Sequence, residues 1–388
     1  MPPKILVSAG EASGDLYAAA LVNRLKAALP GAEFFGCAGP RMRAVGVRPV
    51  VDAASLSVVG LFEVLGHIPR IYLEYRKMLA AAQRERPAVA ILTDSPDFHL
   101  RLAVRYKEQG IPVVYLVAPQ VWAWRRGRIR SIKRNIDRLL CIFPFEEDFF
   151  RSRGVQAQYI GHPLAELIRP SLSREEFFEQ FGLEEGRPVV SLLPGSRKGE
   201  AMRHLPLLFE AARLIRKQCQ AQFLVALPAG FWAEQVKDFE KLAVTQVTVI
   251  VGRTWDVLAW SDLALAASGT VTVEAALLGT PMVTFYRVSR LTWMLGRPLV
   301  QVPFYSMVNL VAGRTVVPEL IQNDCNAGNL ARHALRLLED GEARRRMKQD
   351  LNTVAERLQG RSNPMELAAA VVQKLLKAED LIDAEQNR

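Results

Sequence analysis

One pattern constrains this chain more than any other, and it runs through the sequence twice. A short apolar run is followed by a turn carrying Gly, Ser or Asp, and then by a longer amphipathic stretch. In the first half, 4–8, 33–38, 88–93, 112–117, 138–143 and 156–160 read as strands, and 15–29, 61–82 and 97–109 as helices, the second broken or kinked near Pro69. Runs that are apolar throughout fit strands covered on both faces, and their alternation with helices fits a parallel sheet. The pattern restarts at 171–182, where Ser173 and Glu176 have the spacing of a capping box. Strands follow at 188–193, 222–227, 247–251, 263–267 and 281–286, with helices at 200–218 and 270–278. The segments 327–338, 343–358 and 365–376 are helical. The predicted fold class is α/β: two doubly wound Rossmann-type domains facing a cleft, with a helical C-terminal tail. The expected divisions are 1–165, 166–340 and 341–388, the first falling where prolines cluster at 161–170.

In such sheets ligands lie beyond the carboxyl ends of the strands, so the turns after each strand are where chemistry is sought. Gly195, Ser196, Arg197 and Glu200 stand between a strand and a helix. Glycine lets backbone approach an anion, the helix terminus offers free N–H groups, and Arg197 adds a fork suited to phosphate. Ser268, Gly269 and Thr270 repeat that logic, with Glu274 one turn inside to accept from ribose hydroxyls. Asp94 ends a strand in Thr93-Asp94-Ser95-Pro96-Asp97, a place for a general base, although spacing alone favours both carboxylates as caps of the next helix. Glu11, Ser13, Gly14 and Asp15 form the first strand–helix turn. Trp122, Trp124, Arg125 and Arg126 open a basic, aromatic segment with no acidic residue between Ile111 and Ile136, which suits a membrane interface or nucleic acid. Phe62, Val64, Leu65, Ile68, Ile71 and Tyr72 fall at helical spacing and form a stripe for the core or for acyl chains.

Net charge is +10, from 50 basic and 40 acidic residues, which favours anionic partners. No charge-free apolar run reaches the length of a membrane span, and the opening Ile5-Leu6-Val7 run is too short for a signal peptide. The expected location is therefore cytoplasmic. The 4 cysteines and 5 histidines show no metal-ligand spacing, and no Asp-x-Asp pair is present to hold a divalent ion on a diphosphate. No cofactor and no metal are expected.

Gly10-Glu11-Ala12-Ser13-Gly14-Asp15, Ala38-Gly39-Pro40-Arg41-Met42, Asp94-Ser95-Pro96-Asp97-Phe98, Pro119-Gln120-Val121-Trp122-Ala123-Trp124-Arg125, Pro144-Phe145-Glu146, Leu193-Pro194-Gly195-Ser196-Arg197, Ser268-Gly269-Thr270 and Asn309-Leu310-Val311-Ala312-Gly313-Arg314 together resemble, in order, the motif series of the lipid-A-disaccharide synthase family. The resemblance runs from about residue 4 to about 375 and departs from relatives mainly at Ala12, Ser95 and His162-Pro163. It implies a GT-B, metal-independent, inverting glycosyltransferase joining UDP-diacylglucosamine to diacylglucosamine 1-phosphate in lipid A (lipopolysaccharide) biosynthesis. It also implies a peripheral protein on the cytoplasmic face of the bacterial inner membrane, and a homodimer exchanging C-terminal helices. By resemblance Asp94 is the base, and Arg197, Glu274 and Asn309 contact the nucleotide. The competing readings are another GT-B enzyme on a UDP-N-acetylglucosamine-type substrate (an epimerase or peptidoglycan transferase), a nucleic-acid-binding protein, which the absence of any such motif disfavours, and a non-catalytic membrane scaffold.

Overall fold

The structure is a computed structural model that describes residues 2–56, 61–229 and 247–386, and the backbone only at 61–68, 290, 291, 295, 299 and 378–386. Two compact units form: Met1–Glu166 with Leu358–Arg388, and Leu167–Arg357.

In the first unit, β1 (Lys4–Ala9), β2 (Glu33–Ala38), β3 (Arg48–Asp52), β4 (Val89–Thr93), β5 (Val113–Leu116), β6 (Arg138–Cys141) and β7 (Ala157–Tyr159) make a parallel sheet ordered β3-β2-β1-β4-β5-β6-β7. The central strands have helices over both faces, so Ile5, Leu6, Val7, Ala90, Ile91 and Leu92 are fully buried. The chain order reverses between β1 and β4. Their register pairs Ala9 with Thr93, so Gly10 and Asp94 leave the sheet side by side. Pro69 lies inside a helix that continues from Leu61 to Glu85. The C-terminal helix Pro364–Gln386 packs on the helix Ala12–Ala28. Arg24 of the first helix pairs with Glu366 of the second at 3.5 Å, and with Glu166 of the short helix Leu164–Leu167 at 2.6 Å.

In the second unit, β8 (Val189–Leu193), β9 (Gln222–Leu227), β10 (Thr248–Val251), β11 (Leu263–Ala267), β12 (Met282–Tyr286) and β13 (Glu319–Ile321) make a parallel sheet ordered β10-β9-β8-β11-β12-β13. The reversal here is between β8 and β11, where Leu193 pairs with Ala266. The two Gly-containing turns of the sequence, 194–197 and 268–269, therefore emerge together at this sheet's switch point, where such folds bind ligands. Ser173 caps the entering helix as its spacing predicted: its hydroxyl accepts from the Glu176 amide and the Glu176 carboxylate accepts from the Ser173 amide. The helix Gly341–Gln359 belongs to this unit as far as Arg357, whereas the sequence reading began the tail at 341.

Candidate active site

The strongest candidate in the first unit is the carboxylate of Asp94. Its Oδ1 accepts from the Gly10 amide at 2.9 Å and its Oδ2 from the Glu11 amide at 3.1 Å. It is no helix cap: the helix Pro96–Glu108 starts at Ser95 with no side-chain cap. Asp94 and Ser95 both adopt left-handed backbone, at φ 56° and 37°, a costly conformation for non-glycine residues that clusters at functional sites. A buried scaffold holds it there. The Asp94 carbonyl accepts from His99 Nδ1 at 2.9 Å and from the Tyr115 hydroxyl, and His99 Nε2 meets Ser8 Oγ at 2.7 Å. A carbonyl can only accept, so the His99 proton sits on Nδ1 and Ser8 donates to Nε2. Burial pulls His99 down to about 4, which keeps the ring neutral. Burial, with the nearby Glu11 charge, pushes Asp94 up to about 8. A carboxylate in that range is matched to proton abstraction near neutrality. Neither His99 nor Tyr115 was singled out from sequence as part of this site.

Gly14 is fixed by the same carboxylate. A Cβ there would lie 1.7 Å from Asp94 Oδ2. The clashing atom ends a short side chain, so Gly14→Ala is expected to displace the carboxylate and break the hydrogen bonds it accepts from the Gly10 and Glu11 amides without unfolding the unit. Activity should fall at least about tenfold, because misplacing a reactive group by an ångström is costly, while the melting temperature stays near the parent's. An active variant would show that Asp94 need not sit where the structure has it.

Two first-unit expectations are corrected, those for Asp15 and Trp122. Asp15 is buried, and its oxygens accept from the amides of Gly39, Arg41 and Met42 at 2.9, 2.9 and 3.1 Å, so it organises the turn after β2 rather than facing a substrate. Glu11 is exposed and Ser13 half-buried. Trp122 is not on the surface: it is 6% exposed and its indole donates to Glu146 Oε1 at 2.9 Å. Glu146 is fully buried, which pushes its carboxyl up to about 7. Trp124 and Arg126 are exposed, and Arg125 stacks 4.3 Å above the Trp124 ring. Of the apolar stripe, Tyr72 is exposed and Ile71 half-buried. The side chains of Phe62, Val64, Leu65 and Ile68 lie outside the described residues.

In the second unit, Gly195 takes φ 116°, and a Cβ would meet the Glu200 carboxylate at 2.3 Å. Glu200 folds back onto this turn and accepts from the amides of Ser196 and Arg197, and partial burial raises its pKa. It therefore shapes the loop from within, occupying amides that the sequence reading left open for phosphate. Ser196 and Arg197 remain exposed at the start of the helix Lys198–Arg216. The adjoining turn is tied down by Ser268, whose hydroxyl donates to the Tyr305 carbonyl at 2.9 Å, and Gly269 and Thr270 are exposed beside it. Glu274 accepts from the Trp255 side chain, and burial raises its pKa. Asn309 is fully buried and saturated. Its Oδ1 accepts from the amides of Val316 and Val317 at 2.7 and 3.0 Å, and its Nδ2 donates to the Val317 carbonyl and Glu319 Oε1 at 2.9 and 2.8 Å. No donor or acceptor is left for a nucleotide, so the expected contact is corrected to a scaffold role. Glu319, unmarked in sequence, completes that scaffold by accepting from the amides of Tyr305 and Ser306 at 2.9 Å each.

A family model described as lipid-A-disaccharide synthetase matches residues 5–373. The chain belongs to the lipid-A-disaccharide synthetase family. It is 60% identical over 378 residues to the lipid-A-disaccharide synthase of Solibacter usitatus, covering 97% of this chain and 98% of that one. It is 45% identical over 377 residues to the enzyme of the same name from Myxococcus xanthus, at the same coverage. Members of this lipid-A-disaccharide synthetase family are glycosyltransferases, so the chain is an enzyme of lipid A biosynthesis. Among solved structures it resembles a UDP-GlcNAc 2-epimerase from Neisseria meningitidis, with TM-score 0.63, 15% identity and coverage of 96% of this chain and 100% of that one. A glycosyltransferase from Rickettsia africae matches with TM-score 0.60, 10% identity and coverage of 96% and 98%. At such identity these two share the GT-B fold only. Among the described residues, no cluster of three His, Cys, Asp or Glu could hold a metal ion, and no helix is long and apolar enough to cross a membrane.

Proposed function

We propose that the chain transfers a diacylglucosamine unit from UDP to the primary hydroxyl of diacylglucosamine 1-phosphate, with inversion. The observation that carries this reading is Asp94, a carboxylate raised to about 8 and fixed by two amides at the switch point of the first sheet. Asp94 takes the hydroxyl proton as that oxygen bonds to the anomeric carbon. The bond from that carbon to the diphosphate oxygen breaks and UDP leaves with the electron pair. The first unit holds the acceptor and the second the donor. Arg197, with the amino terminus of the helix Lys198–Arg216, stabilises the departing diphosphate, which needs preorganised positive charge. Gly195, Ser196, Gly269, Thr270 and Glu274 line the donor's nucleotide, with Ser268 and Glu200 shaping their loops. Tyr72 and Leu73, 57% and 55% exposed, with Trp124 and the basic segment after it, form the peripheral face toward the inner leaflet of the inner membrane. A homodimer formed by exchange of the helix Pro364–Gln386 belongs to the same proposal.

The test is purified protein with both lipids in detergent, following UDP release and disaccharide together, with and without chelator. Disaccharide formed in step with UDP and unaffected by chelator is expected. Consumption of an acyl-free UDP-sugar without disaccharide would instead identify an epimerase. Arg197→Ala is expected to raise the UDP dissociation constant roughly 10-fold or more, the scale of a lost charge-assisted hydrogen bond. Isothermal titration with UDP checks it, and parent-like affinity would remove Arg197 from the donor site.

A further inference from the structure

The basic segment contains a pair of guanidinium groups whose arrangement its reading as a membrane face does not explain. Arg125 Nη1 meets both oxygens of Asp97, at 3.0 and 3.1 Å, and Arg128 Nη2 meets Oδ1 of the same carboxylate. Asp97 is 69% exposed, while the Arg128 side chain is only 19% exposed. Two guanidiniums thus converge on one open carboxylate and leave an uncompensated positive charge beside it. Arg125 holds this position in left-handed backbone, at φ 57°, braced by the ring of Trp124. An exposed ion pair contributes about 0–1 kcal/mol, which does not offset about 1–3 kcal/mol of backbone strain. Strain retained in this way clusters at ligand and active sites.

The position is as informative as the charge. Asp97 lies three residues beyond Asp94, in the first turn of Pro96–Glu108. Arg128 and Asp97, together with Glu11, act electrostatically on the Tyr115 hydroxyl, and that hydroxyl donates to the Asp94 carbonyl. Asp97, three residues from Asp94 in the chain, thus brings Arg128 into the electrostatic surroundings of the tyrosine that holds the Asp94 backbone. We propose that Arg128 and Arg125, gathered by Asp97, bind the acceptor's 1-phosphate, a sugar phosphate monoester. This rests on the function proposed above. A monoester carries about −1.5 to −2 charge near neutrality, and two planar forks match its oxygens better than ammonium groups would. The phosphate would sit one sugar ring away from the hydroxyl that Asp94 deprotonates, which makes it a gauge for the attacking oxygen.

The experiment compares the full-length parent with Arg128→Gln and Asp97→Asn on two acceptors, diacylglucosamine 1-phosphate and the same lipid without its phosphate. Arg128→Gln is expected to raise KM for the phosphorylated acceptor roughly 10- to 100-fold with a smaller change in kcat. On the phosphate-free acceptor the parent and variant should converge. Asp97→Asn loosens the gathered pair but leaves both guanidiniums, and is expected to raise KM for the phosphorylated acceptor clearly less than Arg128→Gln does, with no change on the phosphate-free acceptor. Arg128→Lys keeps the charge without the fork and is expected to fall between parent and Gln, which covers the case of a poorly folding Gln variant. Equal losses on both acceptors, or an Asp97→Asn defect matching that of Arg128→Gln, would overturn the proposal and make Arg128 a brace for Asp97. A parent that makes no disaccharide from either acceptor would instead overturn the function on which the proposal rests.

Discussion

Asp94→Asn is expected to lower kcat by roughly 10²- to 10⁴-fold, the usual contribution of a positioned general base, and to leave the UDP dissociation constant close to the parent's. Asn keeps the shape, and its single oxygen can accept from one of the two amides that bind the Asp94 carboxylate, Gly10 at 2.9 Å or Glu11 at 3.1 Å, while its Nδ2 faces the other. The capacity to take a proton is removed, together with one amide contact. The same variant has a second expected signature. Asp94 is raised from the ordinary carboxylate value of 3.8 to about 8, first by burial and then by the Glu11 charge. Between those limits the folded protein holds a proton that the unfolded chain has released. Stability is therefore greatest below about pH 4 as far as this group is concerned, and falls as pH rises through 8. Activity runs the opposite way, because the base works only when ionised, so the parent's kcat/KM should climb with pH toward a limb near 8. Asp94→Asn cannot ionise, and should melt above the parent at pH 9 while matching it more closely at pH 5. Glu146, raised to about 7, shifts stability in the same direction but is present in both proteins and cancels in the comparison. Normal turnover by the variant, or parent and variant melting curves that stay parallel across this range, would remove Asp94 from the role of base.

How far the fold could be read depended on which strands were covered. Central strands such as Val89–Thr93 and Leu263–Ala267 are buried on both faces and so appear as unbroken apolar runs. The edge strands Arg48–Asp52 and Glu319–Ile321 were missed, because an edge needs only one apolar flank and these carry Arg48, Pro49 and Glu319. The site was legible to the same degree. Asp94 could be found because it follows a buried strand directly. Its positioning by His99, Tyr115 and Ser8 could not, since those contacts arise from sheet register and from a helix packed over it. Polar side chains near helix amino termini were the least readable. Asp15, Glu200 and Asn309 stand where a ligand contact would stand, yet each bonds the backbone of its own or a neighbouring loop. A carboxylate that caps a turn and one that meets a ribose have the same sequence signature. Only the count of satisfied donors and acceptors separates them. Trp122 and Trp124 show the same limit two residues apart: the first turns inward because Glu146, distant in sequence, offers a buried acceptor.

Asn309→Ala turns that distinction into a measurement. If Asn309 touched the nucleotide, its loss would weaken UDP binding and spare the fold. The structure points the other way, because every hydrogen-bonding position of this fully buried amide is already used within the chain. Truncation leaves the amides of Val316 and Val317 without their acceptor and takes one donor from Glu319. Each buried group left unpaired costs about 1–3 kcal/mol, so a total of about 3–5 kcal/mol is expected, at the upper end for a single substitution. For a unit of this size that corresponds to a fall of roughly 6–20 °C in the melting temperature. UDP should slow the loss only to the extent that it binds the folded protein, and its affinity for molecules still folded at low temperature should change less than that of Arg197→Ala. Asn309→Asp is the sharper companion, since it keeps the two acceptor contacts but places a second carboxylate against Glu319 Oε1, which accepts from Nδ2 at 2.8 Å. Its instability should ease as pH is lowered and the pair takes up a proton, whereas the Ala variant gains no such relief. A melting temperature near the parent's for Asn309→Ala, together with weakened UDP binding, would return Asn309 to the nucleotide site.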